Sequence, residues 1–382
     1  MLLEEQFVCI LGGPGQPDRE VVTKPPQLIV PATSTERQRQ AGQVGVLFTE
    51  QLRNEIRGDL IFSVRHASNL AAHAHEPTNG EHTLDRLREF AEWVLGPCEV
   101  LADYSWGHRM SPVLQIRDAS GTVWFLKRHA DPARHRAELT AYDQWVPALH
   151  DAAPRLRAFD SSLLAIILSA AAGEAAPWPA SEASGPRTDR SADRDVQRQA
   201  GKILRRLHDA QPPLPWPDFA TVKIEQFDQL KPAAAALLEP RTLDLVRAEI
   251  AALADLPAPA RVPCHHDYTP RNWLVDRGAL SVIDFEWSGL DARVADLARL
   301  HLGVWATRPD LREAFLDGYG HELSQADHRI LRGCAVLTAV WLLVKARETG
   351  QPSFEDATRV SLLRIIDRPW TEPAATAQTR EG

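Results

Sequence analysis

The chain has 382 residues, 44% of them hydrophobic and 11 of them Trp, with a net charge of -8 and a pI near 6.0. That length fits a two-lobed enzyme with residues to spare, and the charge excludes a general attraction to nucleic acid or anionic membrane. Cys9, Cys98, Cys264 and Cys334 are scattered without metal-ligand spacing, as expected for reduced thiols of a cytoplasmic protein.

Residues 1–82 read as an extension of unknown role. Its start has Glu4 and Glu5 in place of a basic region, so no secretory signal is expected. No apolar stretch in the chain reaches the roughly 20 residues that span a bilayer. Gln27–Val30 and Asp59–Val64 read as strands, with a short helix near Thr49–Leu52. His66, His73, His75 and His82 sit in a linker-like setting and lack the fixed spacing of a zinc motif. From Thr83, Leu84, Leu87, Ala91 and Val94 follow helical spacing, and Gly96-Pro97 stops the helix.

A loop at Tyr104–Ser111 carries Gly107 as its one glycine. Val113–Asp118 and Thr122–Lys127 then read as two strands joined by the turn Ala119-Ser120-Gly121. Lys127 ends the returning strand, and His135–Tyr142, with Glu138 inside it, is a helical pattern. Leu163–Leu168 is an apolar strand, followed by the small-residue stretch Ser169–Gly173 and a polar loop over 174–191. Val196, Ala200, Ile203, Leu204 and Leu207 mark a helix that ends at His208, read as a structural histidine.

The most informative segment is Val262–Asp276, with His265, His266, Asp267, Arg271 and Asn272, followed by Asp284-Phe285-Glu286. Pro263 and Pro270 disfavour a continuous helix across it. Trp273–Val275 and Leu280–Ile283 read as a hairpin around Asp276-Arg277-Gly278. Phosphoryl transfer from a nucleotide needs such a set: one carboxylate to orient the attacking hydroxyl, and an Asn plus an Asp for magnesium. Further on, Asp296 sits before Leu297-Ala298, and Ser324–Lys345 reads as a buried helix. No G-x-x-x-x-G-K-[ST] is present, which argues against a P-loop enzyme.

The His-x-Asp-x-x-x-x-Asn spacing with the later Asp-Phe-Glu resembles the aminoglycoside phosphotransferase and choline kinase superfamily, over roughly residues 84 to 368. The resemblance implies an α+β, protein-kinase-like bilobal fold: a small antiparallel-sheet N-lobe over 83–168, a mainly helical C-lobe over 169–372, and a disordered tail over 373–382. It implies Asp267 as the catalytic carboxylate and Asn272 and Asp284 as magnesium ligands. Lys127, held by Glu138, would meet the phosphates of ATP, with Gly107 over them and Ile167 and Ser169 at the adenine. His265, Asp296 and Arg271 take supporting roles. The family usually has Gly where this chain has His266 and commonly a smaller residue at Arg271; both departures bear on the acceptor side.

The expected partner is a small-molecule hydroxyl acceptor, with no nucleic acid and no membrane. An antibiotic or natural product is the first expectation, and a metabolic acceptor (amino alcohol, sugar or homoserine-like) the second. Two other classes stay open: a nucleotide-binding pseudokinase, and a metal-dependent His-Asp phosphohydrolase that needs no nucleotide donor.

Overall fold

The computed structural model describes residues 79–105, 111–176 and 190–367. The strands and helix expected within 1–78, Gly107, and the tail from 368 onward lie outside the described residues. Helix α1 (Asn79–Leu95) leads into a fully antiparallel five-stranded sheet of β1 (Cys98–Asp103), β2 (Val113–Asp118), β3 (Val123–Arg128), β4 (Leu156–Asp160) and β5 (Ala165–Ser169), in the order β1-β2-β3-β5-β4. Leu126 pairs with Ile167, and Lys127 with Ile166. Side chains alternate across a strand, so Leu126 and Ile167 share one face. That face packs with Leu114 and Ile116 under Leu87, Phe90 and Ala91 of α1, forming the N-lobe core.

The opposite face carries Lys127. Helix α2 (Pro132–Gln144) is started by Asp131, whose carboxylate accepts from the amides of Ala133 (2.9 Å) and Arg134 (3.0 Å), and by Pro132, which has no amide to satisfy. Nearly two turns into the helix, Glu138 faces inward and is fully buried.

After β5 the chain crosses to the C-lobe through Gly173. A Cβ there would lie 2.5 Å from the Val275 carbonyl carbon, and φ is +111°, so the crossing needs glycine twice over. The first residues of the expected polar loop instead form β6 (Glu174–Ala175), which pairs with β8 (Trp273–Asp276); β8 pairs in turn with β9 (Ala279–Val282). A further pair joins β7 (Arg261–Cys264) to β10 (Gly289–Ala292). These short strands hold the loop between Cys264 and Trp273.

Around them pack α3 (Arg190–His208), α4 (Phe219–Ala234), α5 (Pro240–Ala251), α6 (Ala298–Leu302), α7 (Pro309–Tyr319), α8 (Gln325–Glu348) and α9 (Pro352–Ile366). Ser324 opens α8 with a reciprocal capping box to Asp327, and most of the helix is buried. Helices α3 and α7 meet backbone to backbone: a Cβ on Gly318 would lie 1.9 Å from Arg198 O, and one on Gly201 2.1 Å from Phe315 O. Among the described residues, no helix is long and apolar enough to cross a membrane.

Candidate active site

Lys127 Nζ lies 2.8 Å from Glu138 Oε2, 2.6 Å from Asp284 Oδ1 and 3.1 Å from Glu286 Oε2, with its side chain 11% exposed. Burial alone would lower its pKa, but the three carboxylates hold it well above the ordinary lysine value. Glu138 is also placed by His129, which donates through Nε2 to Oε2 (2.6 Å), and by the Phe285 amide, which donates to Oε1 (3.2 Å). Burial pushes the Glu138 carboxyl up; Lys127 and His129 override it and keep it ionised. One glutamate thus joins the N-lobe strand, the N-lobe helix and the Asp284-Phe285-Glu286 segment. Arg134 adds a second tie, 3.4 Å from Glu286 Oε1 and with its guanidinium carbon 4.2 Å from the Trp287 ring centre.

The loop after β7 is fixed by Asp296. Its carboxylate accepts from the amides of His265 (2.8 Å) and His266 (2.5 Å) and from His208 Nε2 (3.0 Å), while His208 Nδ1 lies 2.7 Å from the Tyr319 hydroxyl. Burial alone would push the Asp296 carboxyl up, yet this set of donors holds it below the ordinary value. Asp296 stands in a single 3-10 turn (Arg293–Leu297) ahead of α6. That turn aims the carboxylate back at β7. His265 Nε2 donates to Ile283 O (3.0 Å), and the Ile283 amide donates to Asn272 O (3.0 Å), so the loop and the strand before Asp284 are stitched together.

His266 and Asp284 both have left-handed backbones, with φ of +61° and +69°. At His266, this explains why glycine suits the position. The histidine is kept there by its own contacts: Nδ1 donates to Trp287 O (2.8 Å), and Nε2 lies 3.3 Å from Asp291 Oδ2. Asp291 in turn takes Lys223 of α4 at 2.7 Å. Burial would lower the His266 pKa, but the Asp291 carboxylate raises it above the ordinary histidine value.

Asp267 is buried and its carboxylate is shared among three donors. Arg271 and Asn272 (3.0 Å) reach Oδ2, and Arg299 reaches Oδ1. Burial would raise its pKa; Arg299 and then Arg271 hold it below the usual carboxylate range. Asn272 Nδ2 also donates to Asp267 O (2.9 Å), which leaves the amide oxygen for another partner. That oxygen and the Asp284 carboxylate are hard donors of the kind magnesium takes, with water and phosphate oxygens completing its shell. The residues present fit the ion.

The structure therefore brings Lys127, Glu138 and Asp284 into one cluster, and His265, Asp267, Arg271, Asn272 and Asp296 into the adjoining loop. It does not bring Ile167 or Ser169 to either. Ile167 turns into the N-lobe core, on the face opposite Lys127, and its backbone is in a ladder on both sides. The Ser169 amide donates to Arg155 O and its hydroxyl accepts from the Arg155 amide, each at 2.9 Å, so both groups close the sheet edge. The strand pairing thus occupies the Ile167 position on both sides and takes the Ser169 amide and hydroxyl. Sequence reasoning missed His129, Arg134, Glu286, Asp291 and Arg299. Glu286 had a signal in its place beside Asp284; Arg299, 32 positions from Asp267, had none.

Residues 107–334 match the model of the phosphotransferase enzyme family. No curated protein sequence matches the chain. Among solved structures, it is similar to a thermostable mutant of aminoglycoside phosphotransferase APH(4)-Ia in ternary complex with AMP-PNP and hygromycin B, at 16% identity and a TM-score of 0.53 over 73% of this chain and 97% of that one. It is also similar to macrolide 2'-phosphotransferase type I, at 16% identity and a TM-score of 0.53 over 76% of this chain and 99% of that one. A choline/ethanolamine kinase family protein from Mesorhizobium loti is 18% identical with a TM-score of 0.53, covering 75% of this chain and 96% of its own. At these identities the likeness shows the fold, which is the protein-kinase-like bilobal one.

Proposed function

Because the chain belongs to the phosphotransferase enzyme family and is a kinase of small-molecule hydroxyl groups, we propose that its donor is ATP and that transfer runs through Asp267. The observation that carries this reading is the junction of two clusters. Lys127, Glu138 and Asp284 stand on one side, Asp267 and Asn272 on the other, and Ile283 is hydrogen-bonded to Asn272 between them. Lys127 meets the nucleotide phosphates, and Glu138 keeps its ammonium in place. Asn272 and Asp284 would hold magnesium, which offsets the charge of the phosphates. Asp267 accepts a hydrogen bond from the acceptor hydroxyl and takes its proton late, so that positioning and charge do most of the catalysis. Asp296 and His265 position the loop.

A hydroxyl of a natural product or antibiotic is the first acceptor class, and a metabolite the second. Two guanidinium groups on Asp267 disfavour a polycationic acceptor, which would bring ammonium groups against them. The scattered thiols favour a reducing compartment, and we assign the chain to the cytoplasm on that ground.

The test incubates the protein and Asp267→Asn with Mg-ATP and a pooled acceptor panel, read by mass spectrometry, with AMP-PNP binding measured in parallel. An acceptor gaining one phosphoryl group is expected, with kcat in the variant down by roughly 10²–10⁴ and AMP-PNP affinity kept. Full turnover by Asp267→Asn would remove Asp267 from the mechanism. Phosphoester hydrolysis without nucleotide would replace the kinase reading altogether.

A further inference from the structure

The arrangement of charge around Asp267 says more about the acceptor than the fold does. A carboxylate offers about four lone-pair sites. Arg271 and Asn272 take the two of Oδ2, and Arg299 takes one of Oδ1. The remaining site is on Oδ1, beside Arg299, and it is where an acceptor hydroxyl would bond. Whatever flanks that hydroxyl then lies against the Arg299 guanidinium.

Arg299 is under-compensated there. Its side chain is 13% exposed, and among the described residues its one partner is Asp267, already shared with Arg271. A cation so far withdrawn from water is costly unless it is paired. Among the described residues its guanidinium donates to Asp267 through Nη1, with Nε and Nη2 left to reach a further acceptor. The far side of α6 gives no relief. The His301 pKa, two residues on, is lowered to about 4 by burial and then by the guanidinium groups of Arg312, Arg364 and Arg332.

We infer that the acceptor is an anion: a hydroxy compound carrying a carboxylate or phosphate a few bonds from the hydroxyl, recognised by Arg299. This rests on the phosphotransferase reading above. In the step, the acceptor oxygen bonds to the γ-phosphorus as the bond to the departing ADP oxygen breaks and its electron pair leaves with ADP. The hydroxyl proton passes to Asp267 and from there to water. An acceptor anion on Arg299 also draws that guanidinium off Asp267, which frees Oδ1 and makes it a stronger base at the moment the hydroxyl arrives. The planar fork of arginine suits a carboxylate or phosphate better than a lysine would.

The experiment is saturation-transfer NMR in the presence of Mg-AMP-PNP. The probes are lactate, malate and salicylate, each beside its amide, and glycerol phosphate beside glycerol. The anionic member of each pair is expected to give the stronger signal by about fivefold or more, with acids and phosphate compared to identify the preferred anion. Arg299→Gln should weaken anion binding about tenfold and Arg299→Lys less, while the neutral probes lose no affinity, because the freed Asp267 Oδ1 still accepts their hydroxyl. Unchanged AMP-PNP binding shows that the variants are folded. Equal signals within the pairs, no anion signal, or anion binding indifferent to Arg299→Gln would overturn the inference. The release of ADP from Mg-ATP with the same probes is measured alongside. Anion preference without any Mg-dependent ADP release under any condition would sink the kinase reading while leaving the anion site; transfer to neutral or cationic hydroxyls alone would do the reverse.

Discussion

Replacing Lys127 by Met leaves three carboxylates around an apolar side chain, and the cost can be worked from the contacts. Glu138 is fully buried and Glu286 is 14% exposed, and in the native protein both lie within 3.1 Å of the ammonium. Removing one partner of such a group costs about 3–5 kcal/mol, because an uncompensated charge stays inside. Protonating one carboxyl offers an escape. From an unfolded pKa near 4.3 and about 1.36 kcal/mol per pH unit, that escape costs about 4 kcal/mol at pH 7.5 and about 1.6 kcal/mol at pH 5.5. The penalty is therefore capped by pH. In the native protein the Glu138 pKa is depressed, so its contribution is present above the unfolded value and lost only as pH falls through the folded one. In Lys127→Met the same carboxyl is raised, so stability is lost as pH climbs from about 4.3 through the raised pKa. Urea unfolding of both proteins at pH 5.5 and 7.5 is the assay. The expected destabilisation is about 4 kcal/mol at the higher pH and less than half of that at the lower. A deficit that is equal at both, or below about 1 kcal/mol at pH 7.5, would refute the account of the cluster.

Asp296→Ala removes the acceptor of two loop amides and of His208, three buried donors at about 1–3 kcal/mol each. Unfolding should show a loss of at least about 3 kcal/mol, and Asp296→Asn, which keeps one oxygen, should retain part of it with kcat reduced and nucleotide affinity unchanged. At His266, Gly should be more stable than Ala by about 1 kcal/mol in thermal unfolding, since both lose the Trp287 and Asp291 contacts but only Ala keeps the left-handed strain. An Ala variant equal to the Gly variant would show that the strain is negligible.

The parts legible in the sequence were those written in local patterns. The hairpin ending at Lys127 and the one between Asn272 and Asp284 show alternation, a glycine turn and strand-forming residues, and both formed where expected. Helix α8 was visible because its burial runs nearly all round. By contrast, β7 and β10 pair across 25 or so residues, and neither Arg261–Cys264 nor Gly289–Ala292 has a pattern of its own. Helices α4 and α5 carry mixed faces and had no sequence expectation. Within the site, spacing located Asp267, Asn272 and Asp284, whereas Arg299, Asp291 and Lys223 meet it only through tertiary packing. For Ile167 and Ser169 the strand neighbours that occupy their backbone groups are likewise set by tertiary pairing, which a single strand does not reveal.

The glycine contact between α3 and α7 carries a warning for anyone who sets out to engineer this enzyme for heat resistance. Gly318 and Gly201 lie inside helices, where an alanine ordinarily adds about 0.8–1 kcal/mol. Here the added methyl would lie 1.9 Å from a backbone oxygen, so α7 must slide away from α3 to admit it. Tyr319 is the very next residue, and it faces His208 on the other helix, which in turn faces Asp296. A separation of the helices is thus transmitted along that chain to the loop that carries Asp267. Gly318→Ala is expected to lower both melting temperature and turnover, and a redesign that maximises helix propensity would remove the spacer that sets the active loop.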